Sequence, residues 1–203
     1  MSGSATSSSA FFSSAVLALA FCAPPSFVRL DVREQLAIGA PEGKVYLTLE
    51  EALKLALPDC EIERATSYLT AEQKKKADEL AGETLESSVV RPYIGRKDGK
   101  IVGTVYFDTH KVRTLRETIL VLVDKDQKVA RIELLAFGEP DEYAPKAEWY
   151  GQFVGKLLDD ELNLKRGIRN IAGASLTARV TTSAVRRVLA AHRVLNPIDG
   201  GGK

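Results

Sequence analysis

The stretch "DGKIVGTVYFDTHKVRTLRETILVLVDKDQKVARIELLAF", residues 98–137, decides the fold of this chain. Two apolar segments, Thr118–Asp124 and Val129–Phe137, flank its "DKDQK" tract. A second pair of segments, Val89–Arg96 and Ile101–Thr109, flanks "KDGK", whose Asp-Gly dipeptide is a strong turn signal because both residues tolerate positive φ. The pattern predicts two β-hairpins in an antiparallel sheet.

Helical patterns precede these hairpins. The tetrapeptide "TLEE" (48–51) has the capping-box pattern, and an apolar stripe at helical spacing continues from it to Pro58. The tetrapeptide "TAEQ" (70–73) opens a second, highly charged helix that ends at Gly82. Between the two helices, polar and apolar residues partly alternate over Glu61–Leu69, which predicts a short strand.

Two further helices are predicted after the hairpins. A helix near Lys146–Val154 is expected to direct Trp149, Phe153 and Val154 toward the core. The last helix is expected to run from Leu176 to His192. Its apolar face comprises Leu176, Val180, Ala184, Val185, Val188 and Leu189. Hairpins in the middle with helices at both ends predict a single α+β domain, an antiparallel sheet of hairpins with flanking helices.

The amino-acid composition argues against several classes of partner and of site. The chain has 203 residues, with 45% hydrophobic and 27% charged residues, enough for one packed domain. Its 28 basic and 27 acidic side chains nearly cancel, which argues against nucleic acid as the main partner. Two cysteines and two histidines are too few for a disulfide framework or a metal site, so neither is predicted.

The N-terminal region predicts export. Residues 1–28 contain no charged side chain, and an apolar run is followed by Ala18 and Ala20, an A-x-A cleavage pattern that leaves Phe21 first. Three alternatives stay open: a disordered tail, an uncleaved anchor, and a lipoprotein modified at Cys22. A linker is predicted over 29–44, the domain over 45–195 and a flexible tail over 196–203.

The segment "NIAGASLTARVTTSA" (170–184) is the strongest candidate for a binding site. Gly173 and Ala174 are small residues at the point where the last helix begins, so a ligand can approach the backbone closely. Free backbone N–H groups and the positive end of the helix dipole favour an anion there, typically a phosphate. The predicted site hydroxyls are Ser175, Thr177, Thr181 and Thr182. A Ser/Thr-capped helix that binds nothing stays open as the alternative.

Within this segment, "AGASLT" (172–177) resembles the [ST]-G-A-[ST]-x-T signature of the FMN-binding domain family. The segment 98–114 is similar to that family's strand pair, and 117–137 to its next hairpin. "FGEP" together with "WYGQFVGK" (149–156) resembles the turn and helix that precede the flavin motif. The resemblance extends from about Val45 to Leu195.

The resemblance implies a function. The family includes the peripheral flavin subunits of the Rnf complex and of the sodium-translocating NADH:quinone reductase. In those proteins a flavin transferase of the ApbE type links FMN through its phosphate to the hydroxyl after the Gly-Ala pair. That position is Ser175 here, and Thr177 is the next hydroxyl of the motif. The expected protein is an electron carrier on the periplasmic or extracytoplasmic face of a membrane, beside membrane redox subunits, with no catalytic residues of its own.

Two residues outside the motif are candidates for contacting the flavin. His110 alternates with Tyr106 and Asp108 along a predicted strand, where these side chains can line a flavin face. Glu139, in the turn before Pro140, can close over the isoalloxazine ring. An ordinary half-exposed strand is the alternative interpretation for His110.

A cofactor-free exported binding or structural module of the same fold is the alternative function. Arg169 occupies the position where the flavin signature usually has Asp, and Ala172 the position where it usually has Ser or Thr. A reductase with its own substrate is a further alternative, for which the short chain leaves little room.

Overall fold

The long strands in the middle of the chain pair as successive hairpins in a computed structural model that describes residues 43–197. The predictions for residues 1–28, for the linker before Gly43 and for the tail after Pro197 lie outside the described residues. The strands are β1 (Lys44–Val45), β2 (Glu61–Arg64), β3 (Ser67–Tyr68), β4 (Val89–Val90), β5 (Tyr93–Lys97), β6 (Lys100–Lys111), β7 (Arg116–Asp124) and β8 (Val129–Phe137). The helices are α1 (Leu49–Ala56), α2 (Ala71–Ala81), α3 (Ala147–Tyr150) and α4 (Ser175–Leu195).

Six strands form one curled antiparallel sheet in the order β1-β8-β7-β6-β5-β2, and β3 pairs with β4 in a small second sheet. In the central pair, β6 and β7 align His110 with Glu117 and Tyr106 with Val121. Both hairpins and the single α+β domain predicted from the sequence are confirmed.

The two faces of the sheet carry different cores because successive side chains on a strand point to opposite faces. On one face Ile119, Val121 and Tyr106 pack with residues of α2, α3 and α4. On the other face Leu120 and Val105 pack against α1. The candidate site belongs to the first face, where the longest helix, α4, crosses β6 and β7.

The two early helices begin as their local sequence predicts. The hydroxyl of Thr48 accepts a hydrogen bond from the Glu51 N–H, and Glu51 reaches back to the Thr48 N–H. Thr70 and Gln73 form the same reciprocal pair at the start of α2. Gly82 ends α2 in the left-handed conformation, with φ of 76°, which glycine adopts without steric cost.

The two strands predicted over Glu61–Leu69 and Val89–Arg96 are each broken into two. Pro92 has no N–H to donate to a ladder, and it separates β4 from β5. Its carbonyl instead accepts from the N–H of Ala65, which lies in the matching gap between β2 and β3. The interruption therefore occurs at the same point in both segments. Each segment contributes one strand to the large sheet and one strand to the small sheet.

The predicted helix near 146–154 is shorter than expected. Only Ala147–Tyr150 is α-helical, and residues 151–153 continue as a 3₁₀ turn. Trp149 and Phe153 are buried as predicted, but the assignment of Val154 to the core is wrong, because its side chain is 54% exposed. The change from α to 3₁₀ winding rotates Val154 away from the face that Trp149 and Phe153 share.

Replacing Val185 with aspartate is expected to destabilise the domain by several kcal/mol, because an unpaired carboxylate would enter the core beneath α4. Val185 is fully buried among residues of that core. The measurement is the thermal midpoint of each variant, with the exposed Val154→Asp as the matched control. Equal midpoints for the two variants would contradict the burial of Val185.

Candidate functional site

A small cleft lies beside the beginning of α4, with a volume of about 50 Å³. One wall is formed by Val112 and Arg113 at the end of β6 and by Glu139 and Tyr143 after β8. The other wall is formed by the start of α4 and the turn before it, where Gly173, Ala174, Leu176 and Thr177 line the space. The tertiary structure thus brings Glu139 together with four residues of the flavin-like motif, three of which, Gly173, Ala174 and Thr177, are predicted site residues.

The N-terminus of α4 has no side-chain cap. Gly173 has φ of 80°, so this turn requires the left-handed conformation that glycine favours. Ala174 is the N-cap residue, and within the described part of the chain no side chain forms a capping hydrogen bond with the first turn of the helix. The N–H groups of the first helical residues have no intrahelical partner, so they can bind an anion. Both α1 and α2, by contrast, satisfy such groups with capping boxes.

Ser175 is the first residue of α4, and its side chain is exposed. The side-chain amide of Asn170 donates a hydrogen bond to the Ser175 Oγ over 2.8 Å. Asn170 was not predicted from the sequence, because a contact across five residues of irregular turn has no periodic signal. The Ser175 hydroxyl is therefore accessible, and its hydrogen bond with Asn170 fixes its orientation.

Thr177 is a buried residue on the wall of the cleft. Its side chain lines the cleft and is only 1% exposed. Within residues 43–197 no protein group is hydrogen-bonded to its hydroxyl, and the one fully buried side-chain polar atom there without a partner is Oε1 of Gln127. The Thr177 hydroxyl is therefore not a sealed, unsatisfied group, and it can bond a ligand oxygen that enters the cleft.

Glu139 braces the opposite wall of the cleft. Its Oε1 accepts hydrogen bonds from the backbone N–H groups of Thr114 (2.7 Å), Leu115 (2.8 Å) and Arg113 (3.2 Å). The N–H donors of Leu115 and Thr114 hold the pKa of Glu139 below its ordinary value. The carboxylate therefore stabilises the turn that carries Arg113 to the edge of the cleft.

The predicted site residues Thr181 and His110 lie below the cleft, in a buried polar cluster centred on Glu117. Glu117 is completely buried. Its Oε2 accepts from the hydroxyl of Thr181 over 2.7 Å and lies 3.0 Å from Nε2 of His110. Its Oε1 accepts from the hydroxyl of Tyr150 over 2.7 Å. One carboxylate thereby joins β6, β7, α3 and α4.

His110 bridges two carboxylates. Its Nδ1 lies 2.8 Å from Asp108, opposite the contact of Nε2 with Glu117. Burial by itself lowers the pKa of His110, but hydrogen bonds to Asp108 and Glu117 outweigh burial and raise it to about 9. The imidazole is therefore a cation at neutral pH. Arg187 of α4 lies 3.7 Å from Asp108 and bonds Glu83 at 3.0 Å on its other side.

Thr182 has a different role from Thr181. Its buried hydroxyl donates to the Ala178 carbonyl of its own helix over 2.7 Å. Of the eight predicted site residues, Gly173, Ala174, Thr177 and Glu139 thus line the cleft and Ser175 stands exposed at the start of α4. Thr181, Thr182 and His110 lie buried away from it.

Glu117 is a buried charged residue that was not predicted from the sequence. A signal for it was available, because Glu117 precedes Ile119, Val121 and Val123 at alternate positions of β7. Those three side chains face the core beneath α4, so a glutamate in the same phase must also face inward. A charged residue at such a position requires partners, and His110 and Thr181 are two of them.

Among residues 43–197 no group of three or more His, Cys, Asp or Glu side chains is arranged to hold a metal ion. No helix within the same residues combines the length and the apolar character that a membrane span requires.

Comparison of the chain with models of known protein families gives no match, and comparison with curated proteins gives none either.

Proposed function

We propose that this chain is an extracytoplasmic FMN-binding electron-transfer protein whose flavin is linked through its phosphate to Ser175. The observation that carries the proposal is the start of α4, where an accessible serine hydroxyl, an uncapped helix N-terminus and the unpartnered hydroxyl of Thr177 occur together. The resemblance of "AGASLT" to the flavin signature supports the same assignment.

The residues present fit the phosphate end of FMN. The N–H groups of the first turn of α4 and the helix dipole favour a phosphate oxygen. The Thr177 hydroxyl is a further donor, and Arg113 adds positive charge at the edge of the cleft. Ligand pockets usually enclose about 300–1,000 Å³, whereas this cleft has about 50 Å³. The site therefore suits a group anchored by its phosphate, with the ring system extending beyond the cleft.

Each residue then has a distinct task. Ser175 would supply the oxygen of the phosphoester to FMN: with a flavin dinucleotide as donor, the P–O bond of its pyrophosphate would break, the nucleoside monophosphate would leave, and the serine proton would pass to a base of the transferase. Asn170 orients the Ser175 hydroxyl through its 2.8 Å hydrogen bond. Gly173 leaves the approach to the helix N-terminus free of a side chain. A bound flavin supplies the redox chemistry, and the protein contributes its position and electrostatic environment.

The proposed partners follow from this chemistry. A flavin transferase of the ApbE type would attach the group, and membrane redox subunits would exchange electrons with it. Attachment by a covalent bond would retain the flavin outside the cytoplasm, where a dissociated cofactor is hard to replace. The proposed location is therefore periplasmic or membrane-associated, on the extracytoplasmic face.

Ser175→Ala is expected to abolish covalent flavin completely, because the acceptor oxygen is removed while the exposed position tolerates alanine. The measurement is mass spectrometry of the peptide 170–179 after co-expression with a flavin transferase. Ser183→Ala is the matched control, since Ser183 lies two turns further along α4 and contacts Glu83. It should retain the FMN mass that Ser175→Ala lacks.

Two results would contradict this assignment. Modification that survives in Ser175→Ala but disappears in Thr177→Ala would move the acceptor to Thr177. An unmodified peptide from the unsubstituted protein, with a flavin transferase present, would exclude covalent attachment to this segment.

The cofactor-free exported module is the second candidate function. The small volume of the cleft favours it, as does Arg169 in place of the usual Asp of the signature. Under this proposal the cleft is a structural junction between α4 and the turn braced by Glu139. A protein that shows no flavin absorption band, even when produced with the transferase, would favour this candidate over the flavoprotein.

A further inference from the structure

The buried cluster below the cleft is connected to the cleft through α4. The Thr181 hydroxyl lies 2.7 Å from Glu117 Oε2 and 2.8 Å from the Thr177 carbonyl, one turn earlier in the helix. Thr177 in turn lines the cleft. The same carboxylate accepts from Tyr150 of α3 and contacts His110 of β6. The position of the first two turns of α4 is thus tied to the sheet by one buried group.

We propose that Glu117 is a positioning residue for the cleft, and that it holds the beginning of α4 against β6 and β7 only while His110 is protonated. The use of the cleft by a ligand rests on the proposed function, whereas the hold on α4 does not. The position of the cleft wall formed by α4 would therefore depend on pH.

The charged and titratable groups around His110 come from every element packed against it. On its own strand β6 Asp108 lies at Nδ1, and on β7 Glu117 lies at Nε2. From α3 the Tyr150 hydroxyl reaches Glu117, and burial together with the Glu117 charge raises the pKa of Tyr150. From α4 Arg187 approaches Asp108, and Glu83 lies beyond Arg187. His110 is the cation that contacts the buried carboxylate directly.

Loss of one proton changes this cluster in two ways. A neutral imidazole carries a single N–H, so either Asp108 or Glu117 loses its donor. The cluster also loses the positive charge beside Glu117, and a fully buried carboxylate without a cation is strongly disfavoured. Asp108 is partly exposed and retains Arg187 nearby, so the single N–H stays on Nε2 toward Glu117, and what Glu117 loses is the adjacent positive charge. The buried carboxylate is then stabilised by contact with water, and the opening that admits water loosens α4.

Thr181→Val is expected to increase amide hydrogen exchange over residues 175–182 at pH 7 by about tenfold or more, because it removes a hydrogen bond to a charged group. Exchange is measured by mass spectrometry on the full chain without flavin, with rates corrected for intrinsic exchange. Thr182→Val is the matched control, because it also replaces a buried threonine by an isostere but leaves the contact with Glu117 intact. Equal protection in the two variants would overturn the positioning role.

The pH dependence of amide exchange provides the second test of the proposal. Between pH 7 and pH 10 the unsubstituted chain should lose about tenfold or more of its corrected protection over residues 175–182, whereas residues 49–56 of α1, on the opposite sheet face, should not change. His110→Gln should exchange fast at both pH values, because glutamine supplies a donor but no charge. A segment 175–182 as protected at pH 10 as at pH 7 would overturn the role of His110. Failure of the flavin experiment would leave both exchange results intact.

Discussion

Glu117→Ala is expected to lower the free energy of unfolding at pH 7 by about 3–5 kcal/mol, the usual cost of removing one partner of a buried ion pair. The carboxylate is completely buried and is bonded to Tyr150, Thr181 and His110. Its removal leaves the Tyr150 hydroxyl and the imidazolium without this acceptor. A domain of this size has only about 5–15 kcal/mol of stability in total, so a large share would be lost.

The measurement is urea unfolding, with stability compared at a common denaturant concentration. Glu63→Ala provides the control, because Glu63 is an exposed glutamate on the edge strand β2 whose ion pair with Arg96 is 3.6 Å long. Exposed pairs of this kind contribute about 0–1 kcal/mol, so the control should unfold almost as the parent does. A loss below about 1 kcal/mol in Glu117→Ala would show that the cluster does not hold the four elements together.

The two histidines are expected to titrate about five pH units apart, His110 near pH 9 and His192 near pH 4. Hydrogen bonds to Asp108 and Glu117 overcome burial at His110 and raise its pKa. At His192 burial lowers the pKa, and its Nδ1 lies 2.8 Å from the Tyr106 hydroxyl instead of a carboxylate. Imidazole NMR resonances measure both values directly, and the chain contains only these two histidines.

These values predict a stability maximum near pH 6.5, the ordinary pKa of histidine in an unfolded chain. The folded-state pKa of His110 is raised, so its contribution is complete below about pH 6.5 and is lost as the pH rises through about 9. The folded-state pKa of His192 is lowered, so its contribution is complete above about pH 6.5 and is lost as the pH falls through about 4. On each side of the maximum, the free energy of unfolding should fall by roughly 3 kcal/mol. We call these two sides the alkaline limb and the acid limb of the profile.

Single substitutions separate the two limbs of this profile. His110→Gln should flatten the alkaline limb and keep the acid limb, whereas His192→Asn should do the reverse. The free energy of unfolding of each variant is measured by urea denaturation between pH 4 and pH 10. A histidine that titrates near pH 6.5 in the folded chain would contradict the surroundings assigned to that residue.

The features predicted correctly from the sequence depend on neighbours in the chain. The capping boxes at Thr48 and Thr70 each need a partner three residues away, and the hairpin at Asp98 needs only a turn of two residues. The burial of Val185 follows from helical spacing alone. Such signals lie within one element, so the linear order of residues contains them.

One failed prediction depends on a contact between distant segments and the other on a local change of helical winding. One strand was expected over Glu61–Leu69, but its division follows from Pro92, whose carbonyl bonds Ala65 across the sheet. Val154 is apolar and follows a buried helix, yet the 3₁₀ turn before it directs its side chain into solvent. Neither result can be read from periodicity, because the first depends on how two segments meet and the second on a change from α to 3₁₀ winding that apolar spacing does not reveal.

The sequence by itself determined the α+β class, the hairpins, the helix starts and the small residues where the last helix begins, since backbone propensity and short-range hydrogen bonds are local properties. Only the tertiary structure decided that Glu139 braces the wall opposite Thr177, and that His110 lies buried against Glu117 and not in the cleft. Glu117 and Thr181 are 64 residues apart, and only the crossing of α4 over β7 brings them within 2.7 Å. Burial makes the ion pair of Glu117 and His110 stronger than the same pair would be at the surface, because a low-dielectric interior strengthens the electrostatic interactions that it encloses.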